Sequence, residues 1–214
     1  MAIELVIFDC DGVLVDSEPI TNGVLRDDLA TRGLDLPVER VIELFVGGTM
    51  AGVMAEATGM GAEMPENWLD IIYGKVFEAL DQQVGIIPGA DLVLDALDTA
   101  SIPYAVGSNG PMRKMEITLG RTGLWDRLMP HVYSGQECPA PKPAPDVYLK
   151  AAAIHGVPPS NCVVIEDSAS GARAAVAAGM PCYGFVRETP VERLQAHCDV
   201  LFDRMEALPG LLGM

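Results

Sequence analysis

Two aspartates, Asp9 and Asp11, stand two residues apart at the end of the first hydrophobic run, Leu5-Val6-Ile7-Phe8. The run reads as a buried strand, and a strand's period of two puts both carboxylates on one side of the extended chain. Gly12 then lets the chain turn away. Two like charges this close beside a core strand repel and desolvate one another, a cost that a cation between them relieves. A metal ion and a nucleophilic carboxylate are the ingredients of phosphoryl transfer. Taken alone, Asp-x-Asp is equally well a solvated acidic turn.

Three later segments add to it. Tyr104-Ala105-Val106-Gly107-Ser108-Asn109-Gly110 is a short apolar strand ending in a hydroxyl and a glycine turn. Pro139-Ala140-Pro141-Lys142-Pro143-Ala144-Pro145-Asp146 is a proline-rich turn holding one lysine. Asn161-Cys162-Val163-Val164-Ile165-Glu166-Asp167-Ser168 is another buried strand ending in an acidic pair. Each has a plainer reading of its own. Ser-Asn-Gly-Pro caps a helix well, Glu166-Asp167 suits the positive end of a helix, and Lys142 is acceptable as a solvated loop lysine. The prolines around Lys142 nevertheless argue for a fixed backbone there.

These residues must be carried by elements that bring them together. Candidate strands are Glu4–Asp9, Pro103–Ser108, His131–Gly135, Asn161–Glu166 and Pro181–Phe185. Helical patterns alternate with them over Ala90–Ala100, Pro111–Thr122, Pro145–His155 and Ser168–Ala178. That alternation predicts an α/β fold, a Rossmann-like parallel sheet with helices on both faces. Residues 16–86 are too many for one crossover helix and read as Ser17–Arg32, Val38–Phe45, Thr49–Thr58 and Asn67–Leu80. This predicts an inserted all-helical cap domain over 16–86, with an α/β core built from 1–15 and 87–214. Asp16-Ser17-Glu18 and Gly85-Ile86-Ile87-Pro88-Gly89 are its expected hinges. Sites in such sheets lie beyond the C-terminal ends of the strands, where all four motifs fall.

Composition sets further bounds. The chain has 214 residues, half of them hydrophobic, and a net charge of −16. That charge argues against nucleic acid or an anionic membrane as partner, and it makes a cation and a local lysine useful for attracting an anionic ester. No apolar run is long enough to span a bilayer, and the N-terminal apolar segment has no basic stretch before it, unlike a signal peptide. The five cysteines, Cys10, Cys138, Cys162, Cys182 and Cys198, are scattered and odd in number, which reads as reduced thiols in a cytoplasmic protein. No partner protein is indicated.

The order acid, hydroxyl, lysine, acid resembles the haloacid dehalogenase-like (HAD) superfamily, in its phosphatase and phosphomutase branch with a helical cap. The resemblance covers nearly the whole chain. It implies a hydrolase acting on a small phosphorylated metabolite, a sugar phosphate or similar, through an aspartyl phosphate, with Mg²⁺ as cofactor. Asp9 matches the nucleophile and Asp11 the general acid/base. Asp9, the main-chain carbonyl of Asp11, Glu166 and Asp167 match the Mg²⁺ ligands. Ser108 and Asn109 match phosphate-binding groups, and Lys142 the residue that neutralises developing charge. In relatives the peptide bond after this lysine is a candidate for the cis form. Within the cap, Phe45-Val46-Gly47-Gly48-Thr49-Met50 resembles the substrate-specificity loop, so Gly47, Gly48 and Thr49 are candidate substrate contacts, as is Lys75, the cap's one lysine.

Three rival readings follow. A phosphosugar mutase of the β-phosphoglucomutase type needs cap groups for a second phosphate. Its relatives carry a histidine and an arginine where Thr21 and Met50 stand here. A non-catalytic phospho-ligand module is argued against by the completeness of the motifs. A phosphonoacetaldehyde hydrolase would lack the second aspartate and carry a cap lysine near the first motif, where only Arg26 occurs.

Overall fold

The computed structural model describes residues 3–45 and 49–214. Its centre is one sheet of six parallel strands: β1 Leu5–Phe8, β2 Tyr104–Ser108, β3 Val132–Ser134, β4 Cys162–Glu166, β5 Cys182–Phe185 and β6 Val200–Phe202. Their order is β3-β2-β1-β4-β5-β6. The chain therefore builds outward from β1 on one side, then returns to build on the other, and the switch point lies between β1 and β4. Val6 pairs with Tyr104 on one side and with Val163 on the other. All four β1 residues are buried, as expected of a parallel strand covered on both faces. Leu5 and Ile7 join Val164, Tyr148, Ala175 and Cys182 in one apolar cluster, while the alternating Val6 and Phe8 point to the opposite, equally buried face.

The strands at β1 to β5 fall where the sequence predicts them. β6 is an addition, and its three residues are too few to show a pattern of two. It is held by pairing of Tyr183, Gly184 and Phe185 with Val200, Leu201 and Phe202, and by the Phe185–Phe202 ring contact at 5.1 Å.

The chain divides into two compact units, one of Met1–Asp16 with Gly85–Met214 and one of Ser17–Val84. The second holds α1 Glu18–Ala30, α2 Val38–Phe45, α3 Met50–Gly59 and α4 Trp68–Gln83. Its polar anchor is Asp28, 1% exposed. Asp28 accepts from Arg32 Nε at 2.6 Å, Trp68 Nε1 at 2.6 Å and Lys75 Nζ at 2.7 Å, which ties α1 to α4. A carboxylate buried this deeply is tolerable because its charge is fully partnered. Burial pushes its pKa up, but the bonds from Arg32, Lys75 and Trp68 outweigh that and hold it at about 2.

The sheet unit carries α5 Ala90–Ala100, α6 Met112–Arg121, α7 Trp125–Leu128, α8 Asp146–His155, α9 Ala169–Ala178, α10 Val191–Leu194 and α11 Leu208–Leu211. α5, α6, α8 and α9 match the predicted helices to within a residue at each end. The Lys142–Pro143 bond is cis, as is Met129–Pro130. Where the chain leaves the sheet unit and returns, Asp16 N donates to Gly85 O at 2.9 Å, and Val15 bridges Ile86 in antiparallel sense.

Candidate active site

β1, β2 and β4 end side by side, so Asp9, Ser108 and Glu166 meet although they are far apart in sequence. The Lys142 turn lies over the same ends. Lys142 Nζ is 2.7 Å from Asp9 Oδ1 and 2.8 Å from Glu166 Oε1, a buried ammonium shared by two carboxylates. Burial works against the Lys142 charge, but Asp9 and Glu166 more than reverse that and raise its pKa above the ordinary lysine value. Burial pushes the Asp9 carboxyl up to about 7; Lys142 pulls it down, while the Glu166 and Asp11 charges push it further up.

Glu166 is fully buried. Tyr148 OH donates to Oε1 at 2.9 Å, while Ser168 N and Ser168 Oγ donate to Oε2 at 2.8 and 2.9 Å. With Lys142 this makes four donors on two oxygens, a complete set for a carboxylate. Ser168 also caps α9, its Oγ accepting from Gly171 N at 3.0 Å.

The lysine turn is docked on β2 by Asn109. Its Nδ2 donates to Lys142 O at 3.1 Å and its Oδ1 accepts from Lys142 N at 2.8 Å. The Asn109 side chain is thus committed to positioning Lys142. Ser108 is buried, and its Oγ accepts from Gly110 N at 3.0 Å. Ser134 Oγ donates to Gly110 O at 2.7 Å and steadies the same turn. Asp11 pairs with a different lysine, Lys114 Nζ of α6, 2.7 Å from its Oδ1. The two aspartates thus stand against different lysines. Sequence reasoning missed Lys114, Tyr148 and Ser134. The first two had a faint signal, a lysine and a tyrosine one turn into the helix that follows a motif.

Ligand oxygens of Asp9, Glu166 and Asp167 lie within 4.8 Å of one another. Three carboxylates against the single Lys142 ammonium leave negative charge in a largely buried place, which a cation balances. Hard oxygen donors in that number fit Mg²⁺, which keeps waters for its remaining positions. The chain comes close here: a Cβ on Gly12, whose φ is +77°, would fall 2.0 Å from Asp167 Oδ2.

In the helical unit, Thr49 caps α3, its Oγ1 accepting from Gly52 N at 3.1 Å. The Lys75 ammonium is on Asp28, as described above. Gly47 and Gly48 lie outside the described residues. Among the described residues, no single helix is long and apolar enough to cross a membrane.

Comparison with known proteins agrees with this geometry. The haloacid dehalogenase-like hydrolase profile matches residues 3–179. The 6-phosphogluconate phosphatase of Escherichia coli K12 is 30% identical over 212 residues, 98% of this chain and 94% of that one. Among solved structures, a conserved haloacid dehalogenase-like protein of unknown function from Agrobacterium tumefaciens C58 superposes with a TM-score of 0.89 at 32% identity, covering 99% of this chain and 98% of the other. A HAD family hydrolase from Deinococcus radiodurans R1, solved with bound phosphate and sodium, gives 0.81 at 32% identity over 99% and 96%. The chain belongs to the haloacid dehalogenase-like hydrolases. Within them it is a phosphatase, an enzyme of the phosphoric monoester hydrolase class.

Proposed function

We propose that this phosphatase requires Mg²⁺, acts on a small phosphorylated metabolite of sugar-phosphate size, and works through an aspartyl phosphate on Asp9. The observation that carries the reading is the Lys142 ammonium, 2.7 Å from Asp9 and 2.8 Å from Glu166, which joins three motifs at one point while Asp11 stands on its own lysine. Asp9 attacks phosphorus, and the bond from phosphorus to the leaving oxygen breaks. Asp11 gives its proton to that oxygen, then takes one from the water that hydrolyses the intermediate. Lys142 offsets charge developing on the phosphoryl oxygens, and Ser108 Oγ turns its proton toward them. Asp9, the main-chain carbonyl of Asp11, Glu166 and Asp167 would hold Mg²⁺, which supplies further counter-charge to the phosphoryl group. Since both Glu166 oxygens already accept two donors each, its share is mainly charge and the fixing of Lys142.

In this reading the helical unit acts as the cap that admits substrate and excludes bulk water, with Gly47, Gly48, Thr49 and Lys75 as its candidate specificity residues. The five free thiols suit a reducing, cytoplasmic setting. The phosphate and sodium in the Deinococcus relative support an anion-plus-cation site of this kind. The mutase reading has less support, because Thr21 and Met50 bring no positive charge for a second phosphate.

The test is phosphate release from a panel of phosphorylated metabolites with Mg²⁺, using Asp9→Asn as the blank. A preferred ester whose hydrolysis vanishes in the variant is expected. Release that persists in Asp9→Asn would remove the nucleophile, and no release from any compound would remove the reading.

A further inference from the structure

Cys182 opens β5 and Cys198 lies two residues before β6, with their sulfurs 3.6 Å apart. The backbone holds them there. Asp199 N donates to Cys182 O at 2.8 Å, and Cys182 N donates to Asp199 Oδ2 at 2.9 Å. Gly184 shares a strand face with Cys182. A Cβ on Gly184 would lie 2.7 Å from Cys198 Sγ, so the bare glycine provides the niche in which that sulfur sits. Cys182 is fully buried and Cys198 half-buried. The hydrogen bond between them pulls the Cys198 thiol below its usual pKa against the effect of burial, and the same bond, with burial, pushes Cys182 up. The more accessible sulfur is therefore the readier thiolate, with a protonated thiol behind it. Two other cysteines are spent differently: Cys138 Sγ donates to Ser134 O and Cys162 Sγ to Pro158 O, each at 3.5 Å.

We propose that Cys182 and Cys198 form a modification site, a dithiol that peroxide oxidises reversibly to one intramolecular disulfide. Cys198 Sγ attacks one peroxide oxygen and the O–O bond breaks. The sulfur becomes a sulfenic acid and the other oxygen leaves as hydroxide, which is protonated to water. Cys182 Sγ then attacks Cys198 Sγ, the S–O bond breaks, and the departing hydroxide takes the Cys182 proton. Two thiols and one hydrogen peroxide thus give one disulfide and two waters. The sulfurs have to close from 3.6 Å to roughly 2.0 Å, which side-chain rotation with a small shift of the loop before β6 provides. The segment so closed includes Arg187, whose Nη2 donates to Asp16 Oδ2 at 2.9 Å, at the junction with the helical unit. A thiol reductant reverses the bond by exchange.

The experiment treats the folded full-length protein with a small molar excess of hydrogen peroxide, blocks remaining thiols, and maps peptides without reductant. The expected result is an intact mass lower by two hydrogens, three of the five thiols still titratable, and one Cys182–Cys198 cross-link that reductant removes. In Cys182→Ser, Cys198 should stop at a sulfenic acid that a dimedone-type reagent traps. Five titratable thiols after treatment would overturn the proposal, as would loss of Cys10, Cys138 and Cys162 at the same rate as the pair.

Discussion

Gly171→Ala sets two effects of known size against each other. Gly171 lies in the first turn of α9, where alanine is favoured over glycine by about 1 kcal/mol. On helix propensity alone the change stabilises. A Cβ there, however, would stand 1.6 Å from Glu166 Oε1 and 2.0 Å from its Cδ, where real contacts begin near 3.0 Å. The carboxylate must therefore retreat by more than 1 Å. A solvated glutamate would do so freely, but this one is fully buried and held by four donors at 2.8–2.9 Å. Losing two of these buried, charge-assisted bonds costs about 1–3 kcal/mol each. The net effect is a destabilisation of about 3 kcal/mol, which for a chain of this size lowers Tm by roughly 6–12 °C. Displacing a carboxylate of the proposed metal site should also reduce phosphate release with Mg²⁺ on the order of 10–100-fold. Thermal melts and the phosphate assay on the purified variant read both. A variant that melts at or above the parent temperature with unchanged turnover would refute the argument that Glu166 is locked in this seat.

On its proposed acid/base role, Asp11→Asn should slow turnover on the order of 100-fold or more; an unchanged rate would end that role. Adding Mg²⁺ to the metal-stripped protein should raise Tm by roughly 5–10 °C at saturation, and Asp167→Asn should lose most of that shift. A parent protein indifferent to Mg²⁺ in the melt would contradict the metal assignment. Asp28, held at about 2 in the fold against about 3.9 in an unfolded chain, contributes stability that is full above pH 4 and lost as pH falls through 2. Urea titrations between those values should show about 2 kcal/mol of acid-dependent stability in the parent that is absent in Asp28→Asn, and equal slopes would refute the linkage.

The parallel sheet was legible because β1, β2 and β4 are continuous apolar runs that each end in a chemical group. Those same ends place Asp9, Ser108, Glu166 and the Lys142 turn in one spot. β6 and the short α7, α10 and α11 were not legible, since three or four residues carry no periodicity and depend on tertiary pairing. Lys114 and Tyr148 were missed for another reason. They lie in the first turns of α6 and α8, and their reach to Asp11 and Glu166 follows from how those helices meet the sheet. Asn109 was read for the amides that it and Gly110 offer a phosphate; that its side chain also docks the Lys142 backbone, a pairing thirty-three residues away, is something no local pattern announces.

The Asp16–Gly85 contact has a bearing on how such chains diversify. Both ends of the Ser17–Val84 stretch meet at one paired stub, where Val15 bridges Ile86 and Ile87 N donates to Leu14 O at 2.9 Å. The strand registers of the sheet involve no residue of that stretch. Joining such a stub costs entropy only as the logarithm of the intervening length. A short turn from residue 16 to residue 85 should therefore close the sheet unit just as well. On the cap role proposed for that stretch, selectivity can be swapped in or trimmed out at this doorway while the phosphate chemistry is inherited whole.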